Sequence, residues 1–196
     1  KRRPSETEFA ERGLAKLLPT PDLKDASYYE SAIQDQLRTF IAKHPGTPEA
    51  AEVEKIISAF VEEKSKILSG QLKMEGEWLP AATVKRDTYN IEAYRQLLNM
   101  RAKAAENTDT RYLEALRAFE KLKMDYRVSP FFLKAVPEAL DYLKKLDIQI
   151  TEMIKEAPIL IKRRDDGVKQ LPPNEQPMAR KAVEAEKHAY EDIVRK

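Results

Sequence analysis

Few residues of this chain have the types and spacing that catalysis or metal binding requires. The 196 residues include two histidines and no cysteine, which excludes thiol catalysis, disulfide bonds and cysteine-ligated zinc. His188 has Glu184 four residues before it and Asp192 four residues after it, so the three side chains would share one helix face. Such a face could hold a metal weakly, but charges along a helix are more typical of a solvated surface. We therefore predict no metal, no cofactor and no catalytic residue.

Other signatures of enzymes or nucleic-acid-binding proteins are also missing. His44 lies at the end of a predicted helix, where we expect it to cap the helix or pack on the following turn. The sequence contains no P-loop, nucleophile elbow, dinucleotide-binding glycine pattern or HExxH motif. The 35 basic residues nearly balance the 33 acidic residues, which leaves a net charge of +2, whereas nucleic-acid binding usually requires a basic excess. The sequence predicts a protein that is not an enzyme and binds no nucleic acid.

The elements that would position functional residues are helices. Charged residues make up 35% of the chain, hydrophobic residues 42% and aromatic residues only 8%, as is typical of amphipathic helices. Ser27 to Glu30 has the S-x-x-E form of a capping box. Thr47 and Ser129 each precede a proline, which is favoured at the first helical position. No apolar run approaches the 18 residues of a membrane span. We predict an all-α fold of antiparallel helical hairpins, without a transmembrane segment.

Prolines and periodicity predict where helices end. An opening helix is expected near residues 5–18, and a last one up to about residue 195. The long helix after Ser129 is predicted to end or bend at Pro158, because proline cannot donate a backbone hydrogen bond. The stretch RRDDGVKQLPPNEQP, residues 163–177, is predicted to be a loop, with a small hairpin over 159–171 as an open alternative. Apolar residues of the long helix follow each other in steps of three and four, which is the pattern of a coiled-coil seam: Leu143, Leu146, Ile150, Met153 and Ala157.

The stretch GQLKMEGEWLP, residues 70–80, breaks the helical pattern. Leu72, Met74 and Trp78 alternate with charged residues, which is the period of an extended segment. The stretch is therefore predicted to be an extended connector or a tight hairpin around Glu75–Gly76. Trp78 is predicted to pack in a joint between two helical units, with binding of a partner as the alternative.

The helices on either side of this connector resemble each other at an offset of 82 residues. Pro48 then falls on Pro130, and Phe40 falls on Leu122. The match of apolar positions on both sides of a proline-capped turn indicates a duplicated structural unit. We expect a first helical unit over 1–80, a second over 81–160, and a loop with a C-terminal helix over 161–196 that packs on the second unit.

The second copy, YLEALRAFEKLKMDYRVSPFFLKA, resembles the tetratricopeptide repeats of bacterial outer-membrane assembly lipoproteins. In the first copy, Phe40, His44 and Pro45 match the pattern, whereas Ile33 replaces its small residue and, in the second copy, Arg127 replaces its proline. The resemblance covers two stretches of about 25 residues. It implies a non-catalytic scaffold that holds other proteins, often at the bacterial envelope. The matching positions of the second copy are Tyr112, Ala115, Phe119, Leu122, Tyr126, Ser129 and Ala135.

Two functions are consistent with these features. The first is a scaffold or adaptor that binds an unidentified protein or peptide through a curved helical surface, with the periplasm or outer membrane of a bacterium as the expected location. The candidate partner-binding residues are Trp78 and the aromatic pairs at two helix starts, Tyr28–Tyr29 and Phe131–Phe132. The second is an assembly subunit that self-associates through the long helix 130–157 and the C-terminal helix. Neither function identifies the partner or the oligomeric state.

Overall fold

The computed structural model describes residues 3–194, and the side chains of residues 3–188. Helices account for 77% of the chain and strands for 3%, which confirms the all-α class. The contacts divide the chain into two compact units. Unit 1 comprises the residues up to Met100 together with Ala118–Val136, and unit 2 comprises Arg101–Arg117 together with the residues from Pro137 onwards. The division predicted at residues 80 and 160 stays a prediction.

The elements follow each other along the chain as helices that are interrupted by one short hairpin. A 3-10 turn (Leu14–Lys16) follows α1, and a π-helical segment (Ala32–Leu37) joins α2 to α3. The strands β1 (Leu72–Met74) and β2 (Glu77–Leu79) pair antiparallel. The α-helices are α1 (Pro4–Glu11), α2 (Ala26–Ser31), α3 (Arg38–Lys43), α4 (Pro48–Leu68), α5 (Ala81–Arg86), α6 (Thr88–Ala104), α7 (Asp109–Asp125), α8 (Pro130–Gln170) and α9 (Gln176–Val194).

Two of the three predicted helix starts are found where the sequence places them. Thr47 caps α4 by accepting a hydrogen bond from the backbone N–H of Ala50 at 3.2 Å, and α8 begins at Pro130. The capping box at Ser27 is wrong: the cap of α2 is Asp25, which accepts from the N–H of Tyr28 at 3.0 Å. A carboxylate is a charged acceptor at the positive end of the helix, and the Ser27 hydroxyl donates to it instead.

Helix α8 continues through Pro158 to Gln170, so the predicted end at Pro158 is wrong, and most of the loop predicted over 163–177 is helical. Proline removes one N–H from the helix and leaves the carbonyl of Ile154 without its donor. Because Ile154 is 67% exposed, water can hydrogen-bond that carbonyl. The residues that follow Pro158 are mostly good helix formers, which extend the helix further.

The opening helix is shorter than predicted. Helix α1 ends at Glu11, and Gly13 adopts φ +64° before the 3-10 turn. This left-handed backbone is easily reached only by glycine, so it stops the helix. Leu14 then enters the core of unit 1, which is built from the inward faces of α2, α3, α4 and the π-helical segment. The fully buried residues of this core are Leu14, Tyr29, Leu37, Phe40, Val53 and Phe60.

The π-helical segment falls on the position where the first repeat copy departs from the tetratricopeptide pattern. Ile33, at the place of a small residue, is buried in this segment. At the offset of 82 residues its counterpart is Ala115, which lies in the regular helix α7 and is also buried. A π turn inserts an extra residue into a helix and redirects the side chains that follow. The two copies therefore differ in helix geometry at Ile33.

Unit 2 is held together by contacts between α8 and the residues that precede it. The Arg101 guanidinium forms a bidentate ion pair with Glu138, at 2.6 and 2.9 Å. The ring of Tyr112 stacks on that of Tyr142, with centroids 5.9 Å apart. Further along α8, Leu146 is buried. Between Leu146 and Lys162, the large apolar residues of α8 are exposed.

Candidate functional site

The hairpin β1–β2 places a lysine, and not the predicted apolar residues, in the interior of unit 1. Its two-residue turn, Glu75–Gly76, has φ +53° and +81°, as in a type I′ turn. The turn pairs Lys73 with Trp78 across the strands, so these two side chains share one face. Lys73 is 6% exposed, whereas Leu72 and Met74 project to the other face. The period of two was correct, but the turn brings Trp78 beside the charged residue.

Lys73 belongs to a buried polar cluster that we call the hairpin network: Thr20, Tyr29, Glu63 and Lys73. The Lys73 ammonium donates to the carbonyl of Thr20 at 3.1 Å and to its hydroxyl at 3.0 Å. It also lies 3.5 Å from Glu63 Oε1. The other carboxylate oxygen of Glu63 accepts from the Thr20 hydroxyl and, at 3.0 Å, from the Tyr29 hydroxyl. The cluster joins the 20–23 loop, α2, α4 and β1.

The hairpin network is suited to holding elements together rather than to proton transfer. Burial, together with the hydrogen bond to Glu63, raises the pKa of Tyr29 to about 12, so its phenol stays protonated near neutral pH. The three protons of the Lys73 ammonium face three acceptor atoms.

A second set of contacts attaches the tip of the hairpin to other parts of unit 1. The N–H of Gly76 donates to Asp22 at 3.1 Å, and the Tyr94 hydroxyl donates to the same carboxylate at 2.6 Å. Burial and this hydrogen bond raise the pKa of Tyr94 to about 12. Glu75 pairs with Lys134 of α8. The hairpin thus links α4, α6 and the start of α8 within unit 1.

The aromatic residues predicted to bind a partner lie at different depths. Tyr29 is fully buried and Phe131 is 3% exposed; the latter packs on Tyr94 with centroids 4.8 Å apart. Tyr28 is half-buried and meets the rings of Tyr29 and Phe60. Tyr29 and Phe131 therefore present no surface to another molecule.

The remaining two candidates, Phe132 and Trp78, are half-buried. Phe132 stacks on Phe119 with centroids 5.8 Å apart. Trp78 lies under the ammonium of Lys66, which is 5.2 Å from the centre of its ring. A cation over an indole face is a favourable contact, and it ties the hairpin to α4. The indole face of Trp78 that Lys66 covers is therefore used for a contact within unit 1.

A charged cluster surrounds Glu8 of α1. Its Oε2 atom lies 2.7 Å from Lys43 Nζ and 2.8 Å from His44 Nε2, and Arg12 pairs with its other oxygen. Hydrogen bonds from Lys43 and His44 lower the pKa of Glu8 to about 2. His44 is thus held at the end of α3 and packs on Phe40, which is the structural position that its sequence context indicates.

The side chains that could ligate a metal do not form a site in the described part of the chain. Among the described residues, no three histidine, aspartate or glutamate side chains lie together as metal ligands would. The predicted helix face of Glu184, His188 and Asp192 is described only in part, because the Asp192 side chain lies outside the described residues. Within residues 3–194, no helix combines the length and apolarity of a membrane span.

Unit 2 exposes apolar side chains along the middle of α8. We call one arc of this helix the apolar stripe: Ile150, Met153, Ile154, Leu160 and Ile161. These residues recur at helical spacing, so they share one face, and their exposed fractions range from 42% to 67%. Ala157 lies between them on the same arc. The sequence predicts the seam that leads into this stripe, but the prediction ends it at Pro158.

Comparison with protein-family models, with curated proteins and with solved structures gives no match for this chain. The hairpin network and the apolar stripe are therefore interpreted from the geometry of this chain alone. A signal for the network was present in the sequence, because Lys73 alternates with apolar neighbours in a segment whose period of two departs from the helical pattern. Its burial depends on Glu63 of α4 and on Thr20, which is 53 residues away along the chain.

Proposed function

We propose that this protein is a non-catalytic helical scaffold, or adaptor, and that it binds another protein chain along the apolar stripe of α8. The observation that carries the proposal is the exposure of the stripe: Met153 is 57% exposed, Ile154 67% and Leu160 56%. A contiguous row of large apolar side chains on a soluble surface marks an interaction site more often than scattered residues do. A helix with such a row favours a partner helix, which can pack its own side chains between them.

The non-catalytic part of the proposal is supported by the hairpin network. Its lysine, glutamate and tyrosine are titratable groups inside unit 1, and each bonds to another member of the network. Such a cluster stabilises the arrangement of α2, α4 and the hairpin. In this proposal unit 1 is a rigid body, and the α8 stripe of unit 2 makes the contact with the partner.

The tetratricopeptide-like character is also a proposal, and the helix boundaries support it. At the offset of 82 residues, α7 (Asp109–Asp125) falls on residues 27–43, which is the helical run formed by α2, the π-helical segment and α3. Phe40 and Leu122 are both fully buried at equivalent positions. The location at a bacterial envelope rests on the resemblance alone.

Site-specific photo-crosslinking tests the scaffold function. A photoreactive phenylalanine analogue at Ile154, within the stripe, is expected to form adducts with a partner protein in the cells that produce this chain. Ile148 is the matched control, since it is also an isoleucine, is 62% exposed and lies on the opposite side of the helix from the stripe. Mass spectrometry of the adducts identifies the partner. Equal adduct yields at both positions, or none at either, would contradict the proposal.

The second candidate function is an assembly subunit that joins copies of itself through α8 and the C-terminal helix. It is favoured by the continuity of the 3-4 seam from Leu143 to Leu160, which is the pattern of helices that pair with similar helices. In the same crosslinking experiment, adducts made of two copies of this chain would favour assembly over the adaptor role.

A further inference from the structure

From the charges that border the apolar stripe, we infer that its occupant is α8 of a second copy of this chain, in antiparallel orientation. This inference deepens the second candidate function, assembly of copies of this chain, and rests on it, because it specifies how two copies pair on the stripe. It requires the steps of three and four to continue beyond the predicted seam. They do as far as Leu160, because α8 remains helical to Gln170, and the next seam position is the charged Arg164.

The charged residues that border the stripe occupy one edge only. On the heptad set by Ile150, Met153, Ala157 and Leu160, one edge of the seam carries Glu156 and, seven residues later, Arg163. The other edge carries Ile154 and Ile161. Glu156 and Arg163 lie on either side of Leu160, and all three line one shallow depression.

Antiparallel pairing makes these edges complementary. When a second α8 is reversed, like edges lie beside each other, in contrast to parallel pairing, where opposite edges meet. With Ala157 of each copy opposite Leu160 of the other, Glu156 of each copy lies beside Arg163 of the other. The twofold axis repeats the contact, which gives two ion pairs on one edge. On the other edge, Ile154 of each copy meets Ile161 of the other.

The neighbouring registers and the parallel orientation lack this match. Shifting the second helix by one heptad in one direction places Glu156 opposite Glu156 of the second copy. Shifting it by one heptad in the other direction places Arg163 opposite Arg163. Both juxtapose like charges, which is unfavourable. In a parallel, in-register pair, Glu156 would face Ile161 and Arg163 would face Val168. Charge complementarity therefore favours this antiparallel register over its two neighbours and over the parallel pair.

A charge-swap cycle with the full chain tests this arrangement by analytical ultracentrifugation. We expect a dimer, and we expect Glu156→Arg or Arg163→Glu to raise its dissociation constant roughly tenfold or more, because each variant creates two like-charge contacts. The double variant Glu156→Arg/Arg163→Glu should restore the dimer. Lys162→Glu is the matched control: it makes the same charge change one residue away, on another face, and should leave the dissociation constant unchanged.

Cysteine crosslinking checks the orientation, since the chain has no native cysteine. Mixed Ala157→Cys and Leu160→Cys chains should form a disulfide-linked heterodimer on mild oxidation, whereas Leu143→Cys alone should not link two copies. A monomer at all concentrations, a double swap without rescue, or efficient linkage through position 143 would overturn the inference. A strict monomer that still gives Ile154-specific adducts with another protein would leave the scaffold function standing.

Discussion

Single charged side chains in unit 1 are placed where opposite charges or dipoles surround them. Glu8 is the clearest case, because a lysine, a histidine and an arginine converge on one carboxylate. Its neighbours come from α1 itself and from the end of α3, so the cluster ties two elements together. The contacts of His44 with Glu8 and Phe40 thus give this histidine a structural role.

The lowered pKa of Glu8 predicts a pH dependence of stability. In the folded state the pKa is about 2, below the ordinary value of 4.5, so the carboxylate contributes its full stabilisation above about pH 4.5 and loses it as the pH falls towards 2. Glu8→Gln should therefore have its largest destabilising effect at pH 7 and little effect near pH 2. Urea unfolding at pH 7, 4 and 2.5 measures the difference. Glu11→Gln, an exposed change on the same helix, is the control; a Glu8→Gln effect that does not shrink on acidification would contradict the prediction.

At the scale of elements, glycine has opposite effects on the stability of the hairpin and of α8. Gly76 completes the type I′ turn at φ +81°, where an L side chain is strained. Gly167 lies inside α8, and a methyl group added there would meet no atom within 4 Å. The same residue type therefore stabilises the hairpin and weakens the helix.

Alanine substitutions at these two glycines should have opposite signs. Gly76→Ala should lower the free energy of unfolding by about 1–2 kcal/mol, because it forces a left-handed backbone on a residue with a Cβ atom. Gly167→Ala should raise helix stability by about 0.5–1 kcal/mol, because alanine loses less backbone entropy. Urea denaturation followed by circular dichroism compares the two. If Gly167→Ala destabilises the chain, α8 does not continue through this position.

At the scale of the whole molecule, two compact units carry different properties. Unit 1 has an aromatic core and a hairpin that binds three helices and the 20–23 loop. Unit 2 contains most of α8, whose apolar stripe is exposed. Stability and interaction are thus assigned to different parts of the chain in the function we propose.

The hairpin network predicts that removal of the Lys73 side chain destabilises the whole of unit 1. Lys73→Ala should destabilise the protein by about 2–4 kcal/mol, because it leaves the Thr20 carbonyl and the Glu63 carboxylate without a buried cation. Trp78, the single tryptophan, lies on the same hairpin face, so its fluorescence reports this unfolding transition. Lys85→Ala, at an exposed position of α5, should change the free energy by less than about 0.5 kcal/mol. Similar effects of the two substitutions would show that the network does not hold unit 1 together.

The sequence by itself determined the helical class, the starts of α4 and α8, and a break in the helical pattern at residues 70–80, which it left open as an extended connector or a hairpin. These features depend on capping groups, on proline and on glycine, which act on the backbone within a few residues. Only the tertiary structure decided that Lys73 is buried, that Tyr29 and Phe131 belong to the core, and that α8 passes Pro158 with an exposed stripe. Burial depends on residues that are remote in the sequence, such as Thr20, which is 53 residues from Lys73, and a local pattern cannot specify which face those residues will cover.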